Sequence, residues 1–196
     1  MKKLWHPTIN IITMIYDDLD EILAESQKFT GTFQIEVENV GFLMNSHESS
    51  KITPSEKLEL PFYLVNALSH IFISEEEGDN SRSLFTVERP EYLSKLATNF
   101  YKASPLNADL SIIEHFYKIV EKWCEFIEQP ELVEIVYEML ITRAGRINDL
   151  SFNASEMHSR ENLEFIQTLD SFEKKLFKIS THSYEEGKKW MKLVNN

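Results

Sequence analysis

The chain has 196 residues, 42% apolar and 12% aromatic, with only five glycines and six prolines. That composition excludes a disordered or collagen-like polypeptide, and the length suffices for one domain or a small one beside a larger one. Twenty Lys and Arg against 32 Asp and Glu leave a formal charge of −12, which argues against a free-standing nucleic-acid binder, because such affinity rests on cations neutralising phosphates.

The first residues carry Met1-Lys2-Lys3 and the apolar Ile9, Ile11, Ile12, Met14 and Ile15, but His6, Pro7, Thr8, Asn10 and Thr13 interrupt the run. It leads into Asp17, Asp18, Asp20 and Glu21 with no small-residue cleavage site, unlike a secretory signal. The sequon at Asn153-Ala154-Ser155 is therefore expected to stay unmodified. No stretch reaches the roughly 20 apolar residues that cross a bilayer.

Residues 16–24 read as a short acidic helix with Leu19, Ile22 and Leu23 on one side. Phe33, Ile35 and Val37 then alternate with Gln34, Glu36 and Glu38, the period of a half-buried strand. Gly41 to Met44 reads as a second strand, Asn45 to Ser50 as a turn, and Ile52 and Leu58-Glu59-Leu60 as short extended pieces. From Pro61, Phe62, Val65, Leu68 and Phe72 follow at helical spacing. A charged loop spans 74–83, Leu84 to Val87 reads as extended, and Pro90 opens a helix to about Lys102, broken by Ser104-Pro105.

Three long helices are expected next. The first, 107–128, carries the rows Ile113, Phe116, Val120, Trp123, Ile127 and Ile112, Ile119, Phe126, a stripe broader than a one-sided surface helix needs. The second, 131–152, carries Leu132, Val136, Met139, Leu140, Ala144, Ile147 and Leu150. The third, 161–190, spaces Phe165, Leu169, Phe172, Leu176 and Ile179 as a short heptad seam. The predicted fold class is α+β, mostly α: an N-terminal extension (1–15), a small β-rich domain (16–60) and a larger α-helical bundle domain (61–196).

Motifs for chemistry are largely missing. The glycines (31, 41, 78, 145, 187) are too scattered for a phosphate loop, and no G-x-S-x-G elbow occurs. His47-Glu48-Ser49-Ser50-Lys51 begins like a zinc-protease motif but ends in Lys, and no His follows a Glu by three positions as a di-iron bundle requires. The one cysteine, Cys124, allows no intramolecular disulfide, which points to a reducing compartment. It lies among Trp123, Phe126 and Ile127, where burial would raise its pKa and leave it inert. His115 reads as a packing histidine and the acidic run at 75–79 as a solvated loop. The lysines 174, 175, 178, 188, 189 and 192 either complement a helix C-terminus or meet a phosphate backbone or an acidic partner. Trp190 and Met191 near the chain end favour a protein–protein interface over an active site.

Tyr16 to Ala24 (YDDLDEILA) resembles the opening of the Psf-three type of subunit, the third partner of Sld five, in the GINS DNA replication complex. Lys57 to Leu64 (KLELPFYL) is similar to that family's K-L-E-L-P-x-W-L signature, and Gly41-Phe42-Leu43 fits the step between them. Pro105, Asp109-Leu110, His115-Phe116-Tyr117, Glu173-Lys174, Ser183-Tyr184 and Lys188-Lys189-Trp190-Met191 continue the resemblance in order. Tyr63 stands where Trp is usual, which should keep an aromatic packing role, and Ser104 replaces an acidic residue. The family's opening motif lies near its start, so initiation at Met14, or a dispensable stretch 1–13, is expected.

The resemblance implies a GINS-like fold and a nuclear, non-catalytic scaffold with no cofactor and no metal. It implies assembly with three related subunits into a heterotetramer. That tetramer joins the MCM hexamer and a cell-division-cycle helicase factor in the CMG replicative helicase, whose ATPase lies in the MCM ring. No membrane and no direct sequence-specific DNA contact are implied. Candidate interface residues are Ile112, Phe116, Ile119, Trp123, Phe126, Phe165, Leu169, Phe172, Leu176, Tyr184, Trp190 and Met191. Lys57, Leu58, Glu59, Leu60, Pro61 and Tyr63 form the candidate domain-joining motif, with Leu58, Leu60 and Pro61 read as core and hinge. The alternatives are an unrelated helical adaptor in another nuclear multi-subunit complex, and a small helical hydrolase or ligand-binding enzyme, which would need a pocket with a convergent pair of titratable groups.

Overall fold

The computed structural model describes residues 19–44, 51–54, 56–73, 82–153 and 159–194. The expectations for residues 1–15, the start at Met14, Tyr16 to Asp18, the His47 motif, the turn at 45–50 and the acidic run at 75–79 lie outside the described residues.

Helix α1 (Leu19–Glu25) leads into strand β1 (Lys28–Phe33), where Phe29, Gly31 and Phe33 point inward. The strand expected to start at Phe33 instead ends there, and the alternation runs through Phe29, Gly31 and Phe33. Strand β4 (Lys57–Pro61) pairs with it antiparallel, Phe29 opposite Leu60 and Gly31 opposite Leu58. On the other edge lies β7 (Phe85–Val87), with Phe33 opposite Phe85. Between these strands come the short pairs β2 (Val37–Glu38) with β3 (Lys51–Ile52), and β5 (Phe72–Ile73) with β6 (Arg82–Ser83). Gly41–Met44, expected as a strand, is a 3-10 turn, in which the Leu43 N–H donates to the Val40 carbonyl.

Helix α2 (Phe62–Ser69) starts directly from β4, with Pro61 as its N-cap. Pro90 opens a 3-10 turn (Glu91–Leu93) rather than an α-helix, and α3 (Lys95–Ala103) begins at Ser94, whose hydroxyl accepts the Ala97 N–H. The helix expected over 107–128 is α4, Phe116–Phe126 only. Pro105–Asn107 is 3-10, and His115 sits in the left-handed region at φ 61, so the chain turns before the helix starts. Helix α5 (Pro130–Phe152) matches its periodicity closely, because Pro130 fixes the first turn. The third expected helix is two, α6 (Arg160–Gln167) and α7 (Ser171–Val194), broken at Thr168–Asp170.

One core joins sheet and helices. Phe29 stacks on Trp123 with ring centroids 5.6 Å apart, and Phe62 and Phe126 close around them. A second cluster of Ile147, Leu150, Phe165 and Leu169 lies between α5, α6 and the head of α7.

Gly31 is required at the centre of β1, since a Cβ there would lie 2.4 Å from the Phe85 ring and 2.6 Å from the Thr86 carbonyl oxygen. Gly31→Ala should therefore lose about 1–3 kcal/mol by overpacking, read as a lowered urea midpoint. An unchanged midpoint would contradict this packing.

Candidate interaction surface

Helix α1 is docked by its charges. Lys122 of α4 reaches Glu21 at 2.6 Å and Glu25 at 3.3 Å, and Lys175 of α7 bonds Asp20. These hydrogen bonds hold the Asp20 and Glu21 carboxyls below, and the Lys122 ammonium above, their ordinary ranges. Only Ala24 of α1 is buried, while Leu19 and Ile22 are 64% and 56% exposed. The helix therefore turns its acidic side to the body and its apolar side to solvent, the reverse of an ordinary surface helix.

Helix α7 is placed by a buried ion pair. Arg143 of α5 and Glu173 of α7 have no exposed side-chain surface, and two parallel bonds of 2.7 and 2.9 Å join them. The guanidinium also donates to the carbonyls of Pro105 and Ala108, each at 3.0 Å, and to the Thr168 carbonyl and hydroxyl at 3.3 Å. Tyr117 donates its hydroxyl to Glu173 at 2.7 Å, and burial, reinforced by the Glu173 charge, pushes that phenol far up. Asp170 and Glu173 form a reciprocal capping box. The Glu173 N–H donates to Asp170 Oδ1 at 2.8 Å, and the Asp170 N–H donates to Glu173 Oε2 at 3.3 Å.

Residue pairs set helix direction. Arg143 faces Glu173, and the Phe152 and Tyr184 rings meet at a tilt with centroids 4.6 Å apart, so α5 and α7 run parallel. Arg146 bonds Asn162, and Arg143 lies over the Phe165 ring, so α6 returns antiparallel. Phe152 is the last residue of α5. Residues 185–194 of α7 thus run about 15 Å past its end at 1.5 Å per residue. That projection carries Trp190, 65% exposed, with exposed Met191 and Leu193. Nearer the body, Phe172 and Ile179 are exposed on either side of Lys175.

The candidate residues separate into two groups. Phe116, Ile119, Trp123, Phe165 and Leu169 are buried in the chain's own core, which corrects their reading as inter-subunit contacts. Phe126 and Leu176 are half-buried, Phe126 against Phe62 and Leu176 against the second cluster. Tyr184 is half-buried between Phe152 and Lys188. Ile112 lies outside any helix and is 81% exposed, and Phe172, Trp190 and Met191 are also exposed. In the joining motif, Leu58 and Leu60 are buried, Pro61 is half-buried and Glu59 faces solvent. Lys57 pairs with Glu88 at 2.7 Å. Tyr63, expected to pack, is 58% exposed, and its neighbour Phe62 fills the core instead.

Arg143 was overlooked by sequence reasoning, although it occupies a core position of the α5 row Leu132, Val136, Met139, Ile147, Leu150. Asp170-x-x-Glu173 was the signal for the helix start. Cys124 is half-buried, and desolvation pushes its thiol up. His115 is buried with Ser171 Oγ 3.0 Å and Asp20 Oδ1 3.7 Å from the same ring nitrogen, Nδ1. A nucleophilic triad needs hydroxyl and carboxylate on opposite nitrogens, so this trio is not one. Among the described residues no group of three His, Cys, Asp or Glu is placed to hold a metal, and no helix is long and apolar enough to cross a membrane.

The sheet and helices so arranged match two family domains: the PSF3 N-terminal domain over residues 16–70, and the GINS complex protein helical bundle domain over residues 91–192. The helical body is thus of the GINS class. Curated relatives named DNA replication complex GINS protein PSF3 are 36% identical in Debaryomyces hansenii and 34% in Candida albicans, each over 92% of this chain and 99% of the relative. The Saccharomyces cerevisiae protein of that name is 30% identical over 91% of this chain and 98% of its own. The chain belongs to the PSF3 family of GINS proteins.

Asp170 generates a pH prediction. Its Oδ2 is buried without a partner, and burial pushes the carboxyl up to about 6. The folded state then binds more protons than the unfolded one between about pH 4 and 6, so this group's contribution to stability rises as pH falls through that window. Asp170→Asn keeps the acceptor for the Glu173 N–H. It should be more stable than the parent by on the order of 1–3 kcal/mol at neutral pH, with the advantage gone by about pH 4. Urea unfolding at the two pH values checks this, and a pH-independent difference would contradict it.

Proposed function

We propose that this chain is a structural, non-catalytic subunit of a heterotetrameric GINS complex and acts as a scaffold in the nucleus during chromosomal DNA replication. Its partners in this reading are three other GINS subunits and, within the CMG helicase, the MCM hexamer and the cell-division-cycle helicase factor. It needs no cofactor and makes no sequence-specific DNA contact. Family membership and the names of the relatives support the complex. The division into a small domain (16–60) and a helical domain (61–196) belongs to this reading, with β7 of the second segment completing the sheet of the first.

The observation that carries the scaffold role is the apolar end of α7 projecting past α5, with Trp190, Met191 and Leu193 exposed. A helical end with an exposed aromatic gains most from a partner that covers it. The outward apolar face of α1 and the exposed Phe172 and Ile179 offer a second such area. Interface roles for Ile112, Phe172, Trp190 and Met191 belong to this proposal.

Co-expression with the three other GINS subunits tests it. A 1:1:1:1 assembly by native mass is expected. Trp190→Asp combined with Leu193→Asp should weaken incorporation roughly 30-fold, as for a hot-spot residue worth ~2 kcal/mol, with helical content unchanged. A soluble monomer indifferent to those partners would favour an unrelated adaptor and overturn the reading.

A further inference from the structure

Two of the six prolines follow a hydroxyl residue, at Thr53-Pro54 and Ser104-Pro105. Such a dipeptide is the minimal substrate of proline-directed protein kinases. The structure separates the two. Ser104 is half-buried and its Oγ accepts from Asn107 Nδ2 at 2.8 Å. Its own N–H donates to the Phe100 carbonyl at 2.8 Å, and the Pro105 carbonyl is held by the buried Arg143 at 3.0 Å. This segment cannot extend into a kinase cleft without breaking the buried network. Thr53 and Pro54 are both exposed, just after β3. Thr53 and Pro54 begin a turn in which the Glu56 N–H donates to the Thr53 carbonyl at 3.1 Å. A kinase must open this turn to read Thr53 extended, as the proline favours, and opening it leaves the Arg143 network untouched.

The surroundings of Thr53 are charged and exchangeable. Its N–H donates to Glu56 Oε2 at 2.8 Å. Two positions before it, Lys51 bridges Glu36 at 2.9 Å and Glu38 at 2.8 Å, which ties β3 to β2 beside the buried Ile52. Four positions after it, Lys57 pairs with Glu88 beyond β7. These are exposed pairs, each worth little on its own, whereas a phosphate carries about −1.5 to −2 charges and three strong acceptor oxygens.

We propose that Thr53 is a phosphorylation site for a proline-directed Ser/Thr kinase, and that its phosphate draws Lys51 away from Glu36 and Glu38. In the transfer, Thr53 Oγ1 forms a bond to the γ-phosphorus of ATP. The bond from that phosphorus to the β–γ bridging oxygen breaks, ADP leaves, and the hydroxyl proton passes to the kinase's catalytic carboxylate. The phosphate then repels Glu56 and competes for Lys51. With that ammonium withdrawn, Glu36 and Glu38 repel each other and the two-residue β2–β3 pair loosens. The modification thus acts on the edge of the small sheet and leaves the Arg143 network intact.

The test incubates the full-length chain with a cyclin-dependent or mitogen-activated kinase and Mg-ATP, followed by intact mass and peptide mapping. One phosphate on Thr53 is expected, lost in Thr53→Ala and in Pro54→Ala and retained in Ser104→Ala. Incorporation only at Ser104, or none at Thr53, would overturn the assignment. Hydrogen exchange reads the consequence. Amides of 37–38 and 51–52 should exchange about fivefold faster in the phosphorylated chain, as for loss of one exposed ion pair. Lys51→Ala should reproduce that change without kinase. Unchanged exchange in the phosphorylated chain would overturn the exchange of Lys51 partners.

Discussion

The structure depends on one ion pair sealed from water. Arg143 and Glu173 are wholly buried, and all their hydrogen-bonding capacity is used. The guanidinium's five donors reach Glu173, Pro105, Ala108 and Thr168. The carboxylate's four acceptor positions take two bonds from Arg143, one from Tyr117 and one from the Asp170 N–H. Burying two charges costs several kcal/mol apiece, so the pair is a poor source of net stability beside an apolar replacement. Its value here is geometric: only one relative position of α5, α7, the Tyr117 end of α4 and the 105–110 segment satisfies every donor.

The functional surface follows from that position. With Glu173 fixed against Arg143, α7 runs parallel to α5 and its last ten residues overshoot, which is why Trp190 is exposed at the end of a well-anchored helix. The same placement brings Lys175 to Asp20 and sets Ser171 beside His115, so α1 is captured through its acidic face. Its leucines and isoleucine are then left outward. Core and surface are linked in this way: a polar network inside determines which apolar residues a partner can reach.

Much of the fold was legible in the sequence where one local signal dominated. Helix α5 has a strong 3.6-residue period and Pro130 at its start, and β4 has the alternation Leu58, Leu60. The failures have physical causes. The heptad seam from Phe165 to Ile179 runs on through Thr168–Asp170, but the capping box stops and restarts the helix there. The apolar row through Ile112 and Ile113 mimics helix, whereas His115 at positive φ turns the chain before α4. Strand β7 pairs with a segment more than fifty residues earlier, which no local pattern carries. Large aromatics such as Phe116 and Trp123 looked like interface because a doubly apolar helix can face either a partner or its own sheet. Trp123 is covered by Phe29 of the sheet and Phe116 by Tyr101 of α3, neighbours distant in sequence.

The most direct measurement is a double-mutant cycle on the buried pair, with unfolding free energies from urea titration of the parent, Arg143→Met, Glu173→Leu and the combined variant. Each single change strands a buried charge and should lose about 3–5 kcal/mol, while the combined change should lose far less than their sum. Two small, additive losses would mean that the pair does not hold α7 against α5, and would contradict the account.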